Sequence, residues 1–167
     1  MKEQKRFSIS GSNTSYERES VHKKKAAHEG KLCIKGADIL AVDDNEMNLT
    51  VVKGLLKHCN VTPDTAQSGN ECVEKVLKKH YDIILMDHMM PGMDGVEAMK
   101  LIRQTADADN RRPIVIALTA NALSGAREMF MQEGFDGFIA KPIDIGEFER
   151  VMKNVLPEEM VHYEGRA

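Results

Sequence analysis

From Ile39 onward the chain alternates short apolar runs with amphipathic segments, and it does so five times. The runs are "ADILAVDD", the weaker "NVTPDTA", "DIILMD", "PIVIALTA" and "DGFIAKP". A continuous apolar run closed by a turn signal marks a strand buried on both faces. The intervening segments repeat apolar residues at helical spacing. Met47, Val51 and Leu55 mark the first, and Cys72, Val73, Val76 and Leu77 point inward in the second. Val96, Met99 and Ile102 mark the third, Gly134 stops the fourth, and Phe148, Val151, Met152 and Val155 mark the fifth. Ser68 with Glu71, and Asp144 with Glu147, have the spacing of helix N-terminal caps. Pro63 puts the second strand at a sheet edge. Such alternation predicts an α/β fold, a parallel sheet covered by helices on both faces with right-handed crossovers.

The flanks have a different texture. Residues 1–36 are rich in Lys, Glu, Ser, Gly and His and poor in large apolar side chains, so they read as a flexible tail or linker. Within them Lys23, Lys24 and Lys25 read as a solvated run, since no aromatics interleave it and Glu residues flank it. The folded domain is expected over 37–157, followed by a short tail, 158–167, too small for a DNA-binding output domain. The formal net charge of −3 gives no general pull toward nucleic acid. No apolar run approaches the ~20 residues of a membrane span, and the polar N-terminus lacks a signal-peptide core. Cys33, Cys59 and Cys72 lack metal-ligand spacing and read as reduced thiols.

In an open parallel sheet, ligands bind beyond the carboxyl ends of the strands. There the first strand delivers Asp43 and Asp44, the third Asp87, the fourth Thr119 and the fifth Lys141. Taken singly, each has an ordinary structural reading: an acid before a helix caps it, and "PGMDG" is a turn. Their joint arrival at one rim is harder to explain that way. Two unit charges ~4 Å apart repel by roughly 4 kcal/mol at an effective dielectric near 20. Lys141 offsets part of the repulsion among the carboxylates. A hard divalent cation held by oxygen ligands, Mg2+, would offset the rest. A carboxylate that attacks phosphorus gives an acyl phosphate, and the metal, Lys141 and the Thr119 hydroxyl would meet the phosphoryl oxygens. Asp87, alone on the central strand, is the better nucleophile. The adjacent pair is better placed for metal.

"AVDDN", "LMDHMMPGMDG", "ALTA" and "AKP", in that order and spacing, closely resemble the receiver domain of two-component response regulators. "VDDNEMNLTVV" and "MPGMDG" are most similar to the receivers of hybrid sensor histidine kinases. The resemblance implies a flavodoxin-like doubly wound sheet of five strands, in order 2-1-3-4-5 counted from Ile39, with five helices. It implies that Asp87 is the phosphoacceptor and that Asp43, Asp44, Asp87 and the backbone carbonyl of Met89 serve Mg2+. It assigns Thr119 and Lys141 to the phosphoryl group, with Thr119 as the switch hydroxyl. Phe138 falls at the aromatic switch position, though a plain core aromatic explains it equally well.

The implied function is a phosphorylation-controlled signalling switch. A histidine kinase or histidine phosphotransfer protein supplies the phosphoryl group, and the domain catalyses only its own phosphorylation and dephosphorylation. The implied partners include a second copy bound through the face of the fourth helix, fifth strand and fifth helix, with no nucleic acid or direct membrane contact. The implied location is the cytoplasm, free or tethered within a membrane-bound hybrid kinase. A haloacid-dehalogenase-type phosphatase would need a D-x-D motif where Asp43 and Asp44 stand adjacent. A flavodoxin would need a hydroxyl- and glycine-rich phosphate loop at those same acids.

Overall fold

The structure, a computed structural model, describes residues 30–106 and 112–165. Its elements are β1 (Lys31–Ile34), β2 (Ile39–Val42), α1 (Glu46–His58), β3 (Asp64–Ala66), α2 (Gly69–Lys78), β4 (Ile83–Asp87) and α3 (Gly95–Ala106). Then come β5 (Ile114–Thr119), α4 (Ala126–Glu133), β6 (Gly137–Ala140), α5 (Ile145–Val155), a 3-10 turn (Glu158–Met160) and β7 (Val161–Glu164). β2 to β6 form a parallel sheet of five strands in the order β3-β2-β4-β5-β6, the 2-1-3-4-5 order expected from Ile39. β3, the strand after Pro63, lies at an edge.

Strand pleating divides the core into two layers, because successive side chains point to opposite faces. Ile83 and Leu85 of β4 join Ile39, Ala41, Ile116 and Leu118 beneath α1 and α5, which contribute Leu49, Val52, Leu56, Phe148 and Met152. Ile84 and Met86 join Leu40, Val42, Val115 and Ala117 on the other face, beneath Cys72, Met99, Ile102 and Phe130 of α2, α3 and α4. Every residue of β4 is buried, which is why its sequence is continuously apolar up to Asp87.

Both predicted caps form. Ser68 Oγ accepts from the Glu71 backbone N–H at 3.1 Å, and Asp144 Oδ1 accepts from that of Glu147 at 3.0 Å. The helically spaced residues of α1 divide, and of Met47, Val51 and Leu55 only Leu55 packs against the core. Met47 is 78% and Val51 52% exposed, while Leu49, Val52 and Leu56 are buried. Two apolar stripes on α1 satisfy helical spacing, and periodicity does not choose between them. Asn45, whose side chain accepts from the Met47 backbone N–H at 2.9 Å, sets where the helix begins. Leu77, expected inward on α2, is exposed in the last turn.

The flanks also differ from expectation. Within the span read as tail, β1 pairs antiparallel with β7 from Lys31 opposite Glu164 to Ile34 opposite Val161. Leu32, Cys33 and Ile34 are buried in β1. The apolar run is short, and its partner lies at the far end of the chain, so no local window shows the pairing. Residues 1–29 of the expected tail, including Lys23 to Lys25, lie outside the described residues.

Candidate functional site

The carboxyl ends of β2, β4, β5 and β6 converge on one acidic pocket. Asp43, Asp44 and Asp87 each offer a carboxylate oxygen, and these oxygens lie within 4.8 Å of one another. Asp43 and Asp87 are buried, and Asp44 is exposed. Lys141 bridges the buried pair, its Nζ 2.8 Å from Asp43 Oδ2 and 3.0 Å from Asp87 Oδ1. The sheet register brings this about: Asp87 lies opposite Leu118, next to Thr119, and Thr119 lies opposite Ala140, next to Lys141.

Asp43 is held from several directions. Its Oδ1 accepts from the Asn45 backbone N–H at 2.9 Å and from Asn48 Nδ2 at 3.2 Å. Asp87 Oδ1 also receives a long 3.4 Å contact from the Met89 backbone N–H. Burial pushes the Asp87 carboxyl above its ordinary range, the Lys141 hydrogen bond draws it partly back, and the charge on Asp43 pushes it up again. For Lys141, burial alone would lower the ammonium, but its hydrogen bonds to Asp43 and Asp87 prevail and raise it. The pocket therefore combines excess negative charge, one fixed cation and hard oxygen donors. That donor set suits a hard divalent cation and a phosphoryl group.

The turn after Asp87 is shaped by two glycines. Gly92 adopts a positive φ of 76°, where a side chain would be strained. Gly95 opens α3 so close to the strand that a Cβ there would clash with the Asp87 carbonyl oxygen. Asp94 and Glu97 cap α3 reciprocally: the Glu97 N–H donates to Asp94 Oδ1 at 2.9 Å, and the Asp94 N–H donates to Glu97 Oε2 at 3.1 Å. Met89 projects outward, 74% exposed.

Thr119 is buried, and its hydroxyl is engaged with its own loop. It donates to the Asn121 carbonyl at 3.3 Å and accepts from the Asn121 N–H at 3.0 Å. Phe138 is partly buried and stacks on Phe130, with ring centroids 5.6 Å apart. Sequence reasoning missed two neighbours of the site, Asn48 and His88. The His88 ring meets Phe130 edge-on at 4.9 Å. Asn48 gives no distinguishing signal in sequence, because an Asn near a helix start reads as a cap.

A family model described as the response regulator receiver domain matches residues 39–153. The chain is 31% identical to the probable histidine kinase 1 of Oryza sativa subsp. indica, over 83% of this chain and 18% of that protein. It is 38% identical to the signal transduction histidine-protein kinase BarA of Escherichia coli K12, over 64% of this chain and 11% of that protein. The chain thus spans under a fifth of the length of these kinases. Among solved structures, it is similar to the receiver domain of the sensor histidine kinase PA1611 of Pseudomonas aeruginosa PAO1, with 38% identity and a TM-score of 0.63. That match covers 72% of this chain and 97% of the receiver, whose active-site cleft coordinates a magnesium ion.

Proposed function

Because the chain belongs to the response regulator receiver domain family, we propose that Asp87 is its phosphoacceptor, with Asp43 and Asp44 holding Mg2+ beside it. The observation that carries this reading is the bridge from Lys141 to both Asp43 and Asp87 at 2.8 and 3.0 Å, in a pocket still short of positive charge. An Asp87 carboxylate oxygen attacks phosphorus and forms an O–P bond as the donor's bond to phosphorus breaks. With a phosphohistidine donor, the breaking bond is P–N and the imidazole leaves with its electron pair. Asp87 Oδ1 is held by Lys141, which orients the carboxylate and leaves Oδ2 as the attacking atom. Bound Mg2+ supplies the remaining charge neutralisation for the phosphoryl oxygens. Asp43, Asp44, Asp87 and the Met89 carbonyl are its proposed ligands.

The donor is a protein of the histidine kinase or phosphotransfer class. Met47, Met89, Leu123 and Ile145 each follow the carboxyl end of a strand and are 78%, 74%, 75% and 43% exposed. An apolar rim around a charged pocket suits docking of a protein donor rather than of a small metabolite alone. Once phosphorylated, Thr119 turns toward the phosphoryl group and Phe138 fills the space it leaves. The α4–β6–α5 face then presents the change to a partner or a second copy. The domain acts on no separate metabolite and works in the cytoplasm, as a portion of a hybrid kinase. In Mg2+ and acetyl phosphate, intact mass should show one phosphoryl adduct on the wild type and none on Asp87→Asn. Equal labelling of both proteins refutes the assignment.

A further inference from the structure

The β1–β7 ribbon lies outside the family match of 39–153, yet it is built as specifically as the site. Asn60, in the left-handed conformation at φ 63°, ties it together. Its Oδ1 accepts from Lys31 Nζ, and its Nδ2 donates to Cys33 Sγ and Glu164 Oε1, all at 3.2 Å. The Ile34 N–H donates to the Cys59 carbonyl at 2.9 Å, and the Lys35 N–H to the Met160 carbonyl at 3.0 Å. At the open end Gly30 permits close approach, since a Cβ there would meet the Glu164 carbonyl oxygen at 2.9 Å.

Little slack separates β7 from α5. Only residues 156–160 lie between them, and Pro157 and the 3-10 turn Glu158–Met160 stiffen that stretch. Met160 and Val161 pack against the core layer that holds Val151, Met152 and Leu156. A displacement of α5 therefore bears on β7, and through four residue pairs on β1. Packed elements of this kind tend to shift together.

We propose that the β1–β7 ribbon is a transmission element that couples α5 to the segment preceding Gly30, so that phosphorylation at Asp87 is felt at the pole of the sheet opposite the site. This rests on the proposed function above. It predicts that the state of the receiver reaches β1 through the ribbon and its Asn60 tie rather than through the α4–β6–α5 surface.

Hydrogen exchange of the full chain, with and without beryllofluoride and Mg2+ as phosphoryl mimic, tests it. In the wild type the amides of β1, β7 and Lys35 should change exchange rate several-fold together with those near Thr119 and Phe138. Asn60→Gly keeps the left-handed backbone and removes the side-chain tie. It should retain the response at Thr119 and Phe138 and lose it at β1. Gly30→Val, which forces the strands apart, should do the same by a separate route. If the wild-type site responds while the ribbon's amides stay unchanged, the ribbon is a static brace and the coupling is refuted, with the Asp87 reading intact. If both variants keep the full ribbon response, the coupling is equally refuted. A wild type that responds nowhere refutes both readings.

Discussion

Replacing Lys141 with methionine preserves much of the side chain's bulk and removes its charge. The ammonium lies 2.8 Å from Asp43 and 3.0 Å from Asp87, and all three side chains are mostly buried. At an effective dielectric near 20, each attraction is about 5–6 kcal/mol. Returning the ammonium to water recovers several kcal/mol of desolvation, so breaking a buried pair this way costs about 3–5 kcal/mol. At roughly 3 °C per kcal/mol for a domain of this size, Lys141→Met should melt about 10–15 °C below wild type in EDTA. Mg2+ would restore the missing positive charge between the same carboxylates. It should therefore raise the melting temperature of Lys141→Met more than that of wild type and bind the variant at least as tightly. Adding Asp87→Asn to Lys141→Met should recover part of the loss in EDTA, because one of the two facing charges is gone. Thermal denaturation of the three proteins across a Mg2+ titration checks the set. Equal melting in EDTA, or equal Mg2+ increments for wild type and Lys141→Met, would refute the charge balance described here.

Asp87 should also make stability depend on pH in a particular direction. Burial raises its folded pKa, so the folded chain keeps a proton that the unfolded chain has released. Its contribution is fully present below the ordinary carboxylate range and is lost as pH rises through the raised folded value. In EDTA, Asp87→Asn should accordingly melt with wild type in acid and above it at neutral pH; a constant offset across pH would contradict this. Gly95→Ala should lose about 1–3 kcal/mol, since its Cβ meets the Asp87 carbonyl oxygen, and urea melts would show an unchanged midpoint if the close approach is unimportant. Met89→Asn should leave the melt unchanged, because Met89 is exposed, while altering acyl-phosphate lifetime, with faster hydrolysis expected as an amide can orient water. Decay of the phosphoprotein by intact mass decides, and an identical half-life would remove Met89 from the hydrolytic step.

Much of this architecture could be read from local sequence, and the failures have one physical origin. β4 announces itself because both of its faces are buried, so Ile83 to Met86 are apolar without interruption. α5 is equally legible: Phe148, Val151 and Met152 form a single inward stripe. α1 is not, because Met47 and Val51 form a second apolar stripe that the structure leaves exposed. Both stripes satisfy helical spacing, and a hydrophobic pattern cannot distinguish an exposed apolar stripe from one that enters the core. The β1–β7 ribbon is invisible for a related reason. Cys33 and Ile34 become strand residues only when Val161 and His162 arrive beside them, and pairing across the whole length of a chain leaves no local period.

The site shows the same division between what types of residue reveal and what geometry alone reveals. Asp43, Asp44, Asp87 and Lys141 were legible because charges gathered at strand tips demand compensation, and the bridge from Lys141 to Asp43 and Asp87 supplies part of it. Thr119 was legible as a position, but its present hydrogen bonds were not. Its hydroxyl both donates to and accepts from the Asn121 backbone. Turning toward a phosphoryl group means giving up both contacts, and each neutral hydrogen bond contributes about 0.5–1.5 kcal/mol net. A charge-assisted bond to a phosphoryl oxygen is roughly twice as strong as a neutral one, so a single new bond can offset the pair. The balance is then close, and in the proposed switch the packing of Phe138 against Phe130 would weigh in it. If Thr119 and Phe138 act as proposed, one added phosphoryl group tips this balance without requiring the sheet itself to deform.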